Sequence, residues 1–148
     1  MQEQRDDLSM RLLRLMGALR ARFARDLARY GLTFPQYLTL CSLGRAEGQA
    51  LRMGDLATAT HQSAASMTGI VDRLLEGGLV ERRPDPADRR SVLVALTPKG
   101  TQVLEQVRAD RRHAVEDLLR SLSSQERAAF YEILGKLLAA LEEGGREV

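Results

Sequence analysis

The hydrophobic period of this chain changes in mid-sequence, and where it changes limits the possible folds more than any other feature. From Leu8 to Tyr30 apolar residues recur in steps of three and four, through Leu12, Leu15, Met16, Leu19, Phe23 and Leu27. That spacing predicts one long amphipathic helix, with Gly31 as the left-handed residue that ends it. Thr33-Phe-Pro-Gln36 has the form of a capping box with proline in the first turn, so a second helix opens there and runs through Tyr37, Leu40, Cys41 and Leu43. Ala50-Leu-Arg52 is long enough only for a minimal strand. Gly54–Thr60 reads as a short helix, His61-Gln62 as a turn, and Ser63 as the N-cap of another helix with Met67, Ile70, Val71, Leu74 and Leu75 on its apolar face.

After Gly77-Gly78 the pattern becomes strand-like. Leu79–Arg83 and Ser91–Thr97 are the two runs, the second alternating through Val92, Val94 and Leu96. Between them lies a polar, proline-punctuated tip, Pro84-Asp-Pro-Ala-Asp-Arg-Arg90. The helical period then returns. Pro98 opens a long helix with Val103, Leu104, Val107, Ala114, Val115, Leu118 and Leu119 facing inward. A second capping box, Ser123-Ser-Gln-Glu126, opens a last one carrying Phe130, Ile133, Leu134, Leu137, Leu138 and Leu141, which Gly144-Gly145 ends.

The predicted fold is mainly α with a small β-hairpin wing, because two short helices followed by a hairpin form a winged helix-turn-helix. The winged lobe covers residues 32–100, and long helices at 1–30 and 98–145 flank it in a single domain spanning 1–148. A central module of about 50 residues offers too little surface to cover three long amphipathic helices. A homodimer is therefore expected.

Composition excludes several classes of function. No stretch approaches the roughly 18 apolar residues of a membrane span, and the first ten residues lack the apolar core of a secretory signal, so the chain reads as cytoplasmic, with no membrane partner. The single cysteine, Cys41, lies in an apolar helical run and is expected to be a small packed hydrophobe. Net charge is +2, yet residues 1–30 carry +3 and residues 101–148 carry −2, which marks the front of the chain as the face for a polyanion. An enzyme would need a nucleophile and base, paired carboxylates or a phosphate-binding glycine loop. None is present. With two histidines, His61 and His113, in separate elements, no metal or other cofactor is expected.

Between residues 55 and 100 a set of short motifs appears in order. They are Asp55-Leu-Ala, Ser63-Ala-Ala-Ser-Met-Thr68, Val71-Asp-Arg-Leu74, Gly78-Leu-Val-Glu-Arg82, Asp85-Pro-Ala-Asp-Arg-Arg90 and Leu96-Thr-Pro-Lys-Gly100. Together they resemble the core of the MarR family of bacterial transcription regulators, and Leu32-Thr-Phe-Pro-Gln36 is similar to that family's second-helix opening. The resemblance implies a homodimer that binds double-stranded DNA, most often as a repressor released by a small aromatic or phenolic ligand. The alternative weighed beside it is a winged-helix protein-interaction module without specific DNA binding.

The residues themselves make physical sense of this. A helix enters a major groove about 12 Å wide only if its leading side chains are slim. Gln62, Ser63, Ala64, Ala65, Ser66 and Thr68 are therefore the expected DNA-reading residues, with Arg73 as a phosphate contact. In the wing, Arg89 and Arg90 are expected at the minor groove. The resemblance also implies that Asp72, Asp88 and Arg90 anchor the wing, with Arg90 pairing to Asp72. For a ligand, Arg20, Phe34 and Tyr37 are candidates, offering ring surface and a cation for a carboxylate.

Overall fold

The computed structural model describes residues 2–144. Helix α1 runs Gln2–Ala28 and α2 runs Phe34–Arg45; after a single 3-10 turn at Glu47–Gln49 comes strand β1, Ala50–Arg52. Helices α3 (Met53–Ala59) and α4 (Ala64–Glu76) follow, then strands β2 (Val80–Pro84) and β3 (Val92–Leu96), and helices α5 (Pro98–Leu119) and α6 (Ser124–Gly144). Every element expected from the sequence is present in the expected order. Gly145 and the residues after it, which include the expected end of the last helix, lie outside the described residues.

Local chemistry explains the boundaries. Gly31 has φ +68°, the conformation that an L side chain resists, and it ends α1. Thr33 caps α2, its hydroxyl accepting from the Gln36 N–H while the Gln36 side chain accepts from the Thr33 N–H at 2.8 Å. Ser123 and Glu126 form the same reciprocal cap at the start of α6, with contacts of 2.7 and 3.2 Å. That cap holds the Glu126 carboxyl below its ordinary range, chiefly through the Ser123 backbone N–H.

The three strands form one antiparallel sheet in the order β1-β3-β2. Ala50 pairs with Ala95 and Arg52 with Leu93, while Val80 pairs with Leu96 and Pro84 with Val92. Val94 and Leu96 turn into the core as the alternation requires, whereas Val92, nearer the hairpin tip, is half exposed.

The chain divides into two compact units, Met1–Val107 and Arg108–Val148. The core belongs to the first. Leu27, Leu40, Leu43, Leu56, Met67, Val71, Leu74, Val94, Leu104 and Val107 are its closed centre, and each fully buried aliphatic side chain there contributes about 1.5–3 kcal/mol. Within that same unit, α1 is exposed from Asp7 to Arg22, its apolar stripe included. In the second unit no described residue is buried, and Phe130, Ile133, Leu134, Leu137, Leu138 and Leu141 of α6 all stand open. The inward face expected for α5 is real at Leu104 and Val107; at Val115 and Leu118 it is exposed in the single chain. Among the described residues no helix is long and apolar enough to cross a membrane.

Candidate nucleic-acid interface

The turn between α3 and α4 is built by local hydrogen bonds. Thr60 is buried and its hydroxyl donates back to the Leu56 carbonyl at 2.7 Å. His61 takes φ +53°, a left-handed conformation that histidine tolerates better than most side chains. The Gln62 N–H then reaches the Ala57 carbonyl at 2.9 Å and closes the turn. His61 is therefore a turn residue, and Gln62 is half-buried beside it.

Helix α4 starts from Ser63, whose hydroxyl accepts from the Ser66 N–H at 3.1 Å and donates to the Ser66 hydroxyl at 3.0 Å. Its inner face is Met67, Val71 and Leu74, all buried. Its outer face presents Ser63, Ala64, Ala65, Ser66, Thr68 and Gly69, and nothing lies within 4 Å of the space a side chain at Gly69 would occupy. The Thr68 hydroxyl donates to the Ala64 carbonyl at 3.0 Å, so toward any base it acts as an acceptor. No acid stands in the first turn, and the free N–H groups there favour an anion. Arg73 is exposed two turns further on.

The wing tip is closed by its own backbone. Asp85 N–H bonds Ser91 O at 3.1 Å, and Ser91 N–H bonds Asp88 O at 2.9 Å. The Asp88 carboxylate accepts from the Arg90 N–H at 3.0 Å, and the Asp85 carboxylate accepts from the Ala87 N–H at 2.9 Å, so two Asx turns set the apex. Arg89 and Arg90 stand exposed there.

The tether between α4 and the wing differs from the one the resemblance implied. Asp72 is paired with Arg82, at 3.1 Å, and not with Arg90. Strand β2 leaves the end of α4 through Gly77-Gly78 and returns alongside it, which brings its third residue, Arg82, level with Asp72. Arg90, at the far end of the loop, has its backbone committed to Asp88. Asp88 acts locally, as a turn former.

Sequence reasoning missed Asp85 and Arg52. Asp85 is buried, and its Oδ2 accepts from Arg52 Nε at 2.8 Å and Nη2 at 2.6 Å. The Ala87 N–H and then Arg52 hold its carboxyl below the ordinary carboxylate range, and the same hydrogen bond raises the Arg52 guanidinium. The Asx turn at Asp85 was legible from Asp-Pro-Ala; an ion-pair partner 33 residues away was not.

The end of α4 is joined to the start of α5 at three consecutive carbonyls. Gly77 O accepts from Lys99 Nζ at 2.9 Å, Gly78 O from the Thr97 hydroxyl at 2.6 Å, and Leu79 O from the Thr97 N–H at 3.1 Å. Gly100 follows, and a Cβ on it would lie 1.9 Å from Leu79 O. Only glycine fits.

The three ligand candidates are not brought together around a cleft. Tyr37 is buried, edge-on to Phe23 at 5.5 Å, and Phe34 also packs edge-on to Phe23 at 5.5 Å. Tyr37 is therefore core packing, and neither it nor Phe34 nor Arg20 lines either of two surface clefts. The first, about 310 Å³, is lined by Tyr30, Leu32, Gln36, Arg73, Leu74, Leu79, Lys99 and Val103 among others. The second, about 360 Å³, lies against α4 and the turn before it, at Gln62, Ser66, Gly69, Ile70 and Arg73.

A model of the MarR family matches residues 30–91. The chain is 38% identical over 114 residues to the HTH-type transcriptional repressor NicR of Pseudomonas putida, with 77% of this chain and 71% of that one covered. It is 30% identical over 131 residues to YsmB of Bacillus subtilis, an uncharacterized HTH-type transcriptional regulator, with 88% of each covered. Its fold matches the structure of a MarR family protein from Bacillus stearothermophilus with a TM-score of 0.81 at 29% identity, covering 96% of this chain and 99% of the other. Motifs, fold and relatives agree, and the chain belongs to the MarR family of winged helix-turn-helix transcription regulators.

Proposed function

We propose that this regulator is a homodimeric repressor that binds a pseudo-palindromic duplex and is released by a small aromatic acid. One observation carries the DNA-binding part. The outer face of α4 holds nothing longer than threonine from Ser63 to Gly69, and the wing of the same unit exposes Arg89 and Arg90 at its apex. A slim helix fits the major groove, and arginines suit the narrow minor groove beside it. The open apolar stripes of α1 and α6 support a dimer, because contiguous faces of that kind mark association surfaces. Two such lobes place their reading helices one helical turn of DNA apart, ~34 Å.

For the effector, the cleft of about 310 Å³ replaces the earlier trio. Arg73 and Lys99 offer charge to a carboxylate, while Leu32, Leu74, Leu79 and Val103 offer apolar surface to a ring. Lys99 is also the donor to Gly77 O, so an anion drawn to Lys99 competes with a bond that holds the end of α4.

Selection of bound duplexes from a random pool, followed by salt titration of the winner, tests the reading. Arg89→Ala weakens selected and random duplexes alike and flattens the slope of log K against log salt by about one unit. Thr68→Ala instead changes the preferred base at one position of each half-site, by roughly 1–3 kcal/mol. Equal loss on all sequences from Thr68→Ala means that α4 is not the reading helix.

A further inference from the structure

We propose that the Arg52–Asp85 ion pair is a strap across the sheet that fixes the pitch of the wing, so that Arg89 and Arg90 reach the duplex while α4 occupies its groove. The proposal rests on the DNA-binding reading above. Arg52 is the last residue of β1, Asp85 directly follows β2, and β3 runs between those strands. Adjacent strands lie about 4.8 Å apart, so the link spans roughly two strand spacings and needs one of the longest side chains. Arginine also meets Oδ2 with two N–H groups, at 2.8 and 2.6 Å. The other oxygen, Oδ1, holds the Ala87 N–H, so one carboxylate joins the far edge of the sheet to the turn that carries the arginines.

Two further observations give the strap its purpose. Residues 86–90 are all exposed, so no apolar packing orients the apex, and a segment without such contacts is held by its polar bonds alone. Arg52 is also the residue that precedes α3, where a short polar side chain ordinarily caps the helix; here the side chain makes no cap bond and goes to Asp85 instead. The entry to the helix-turn-helix and the tip of the wing are thereby tied through one residue. Arg83, which stands opposite Leu93 in the same row of the sheet as Arg52, ties the hairpin a second time by donating to Gly48 O at 2.7 Å.

The sign of one effect separates this role from plain electrostatics. Asp85 is an acid beside arginines that face a polyanion, so neutralising it should tighten DNA binding if charge is all that matters. The strap requires the reverse. The experiment uses the full chain as wild type, Arg52→Ala, Asp85→Asn, the double variant, and Arg52→Lys, on the duplex selected by wild type and on a scrambled duplex of equal length. Failure of wild type to prefer the selected duplex defeats the DNA reading itself and is distinct from failure of the strap.

Asparagine keeps an acceptor for the Ala87 N–H. Both single variants are expected to weaken binding to the selected duplex by on the order of tenfold, and the double variant no more than either. Arg52→Lys recovers part of the loss, and Arg89→Ala costs less in the Arg52→Ala background than alone. Arg52→Ala also lowers the unfolding temperature, because it leaves the buried Asp85 carboxylate with the Ala87 N–H alone, so binding is compared below the melting point of every variant. Tighter binding by Asp85→Asn, or additive losses in the double variant, overturns the proposal; so does a loss confined to Arg52→Ala, which marks Arg52 as a direct phosphate contact. Where Asp85→Asn does not fold, Arg52→Ala, whose side chain is half exposed, decides alone, and additivity with Arg89→Ala overturns the strap.

Discussion

The winged lobe and the last helix are both amphipathic, yet only one of them finishes its own burial. In the lobe, Leu40, Leu43, Leu56, Met67, Leu74 and Val94 are closed to solvent within one chain. In α6, Leu137 and Leu138 are more than half exposed and Leu141 is 74% exposed, although its large apolar residues recur in the same steps of three and four as those of α4. A helical period in the sequence therefore marks an apolar face without saying what covers it. The lobe closes its own core; α6 leaves its stripe open in the single chain, as the proposed dimer requires.

The largest expected effect tests that contrast from the α6 side. Leu137→Asp places a charge on the open stripe, and an uncompensated buried charge costs several kcal/mol if a second copy covers it. Sedimentation at micromolar concentration should then shift from about twice 16.4 kDa to 16.4 kDa or to unfolded chain. A wild-type monomer would remove the need for a partner altogether. Leu74→Ala tests the lobe: it costs about 2–5 kcal/mol through the cavity it leaves, and its melting shift is independent of protein concentration. A concentration-dependent shift for Leu74→Ala, or a concentration-independent one for Leu137→Ala, would erase the distinction.

Smaller effects sharpen the picture inside the lobe. Arg82→Ala lowers stability by at most about 1 kcal/mol, because its pair with Asp72 is half exposed, and in a double-mutant cycle that loss is shared with Asp72→Ala. Arg90→Ala leaves stability unchanged and shows no coupling to Asp72; coupling there would restore the pairing first inferred from the family. Smallest of all is Cys41→Ser. Cys41 is partly buried in α2, and its replacement should leave both DNA affinity and the response to peroxide as they were.

Most of the fold was legible because its signals are local. Gly31, the Thr33–Gln36 box, Ser63 and the proline-bounded hairpin each act within four residues, and each boundary fell where its chemistry put it. The slim face of α4 was legible for the same reason. The tethers of the wing were not. Asp72 meets Arg82 and Asp85 meets Arg52 only after the hairpin has folded back, and nothing in Arg52-Met-Gly-Asp55 announces a partner 33 residues away. The surroundings of the ligand candidates were hidden for a related reason. Phe34 and Tyr37 have the chemistry of a pocket wall, but their ring partner Phe23 comes from another helix and draws Tyr37 into the core.

The junction at Gly77–Leu79 has a mechanical consequence. Three carbonyls in succession are held by Thr97 and Lys99, and Gly100 presses so close to Leu79 O that no side chain can enter. Such a joint transmits torque. Two of its three bonds come from Thr97, so even an anion that draws Lys99 away leaves the end of α4 joined to the first turn of α5. The Thr97 amide should accordingly exchange with solvent as slowly as the amides of the lobe core, with or without effector. Under the proposed function, a shift of the first turn of α5 would carry the end of α4 with it.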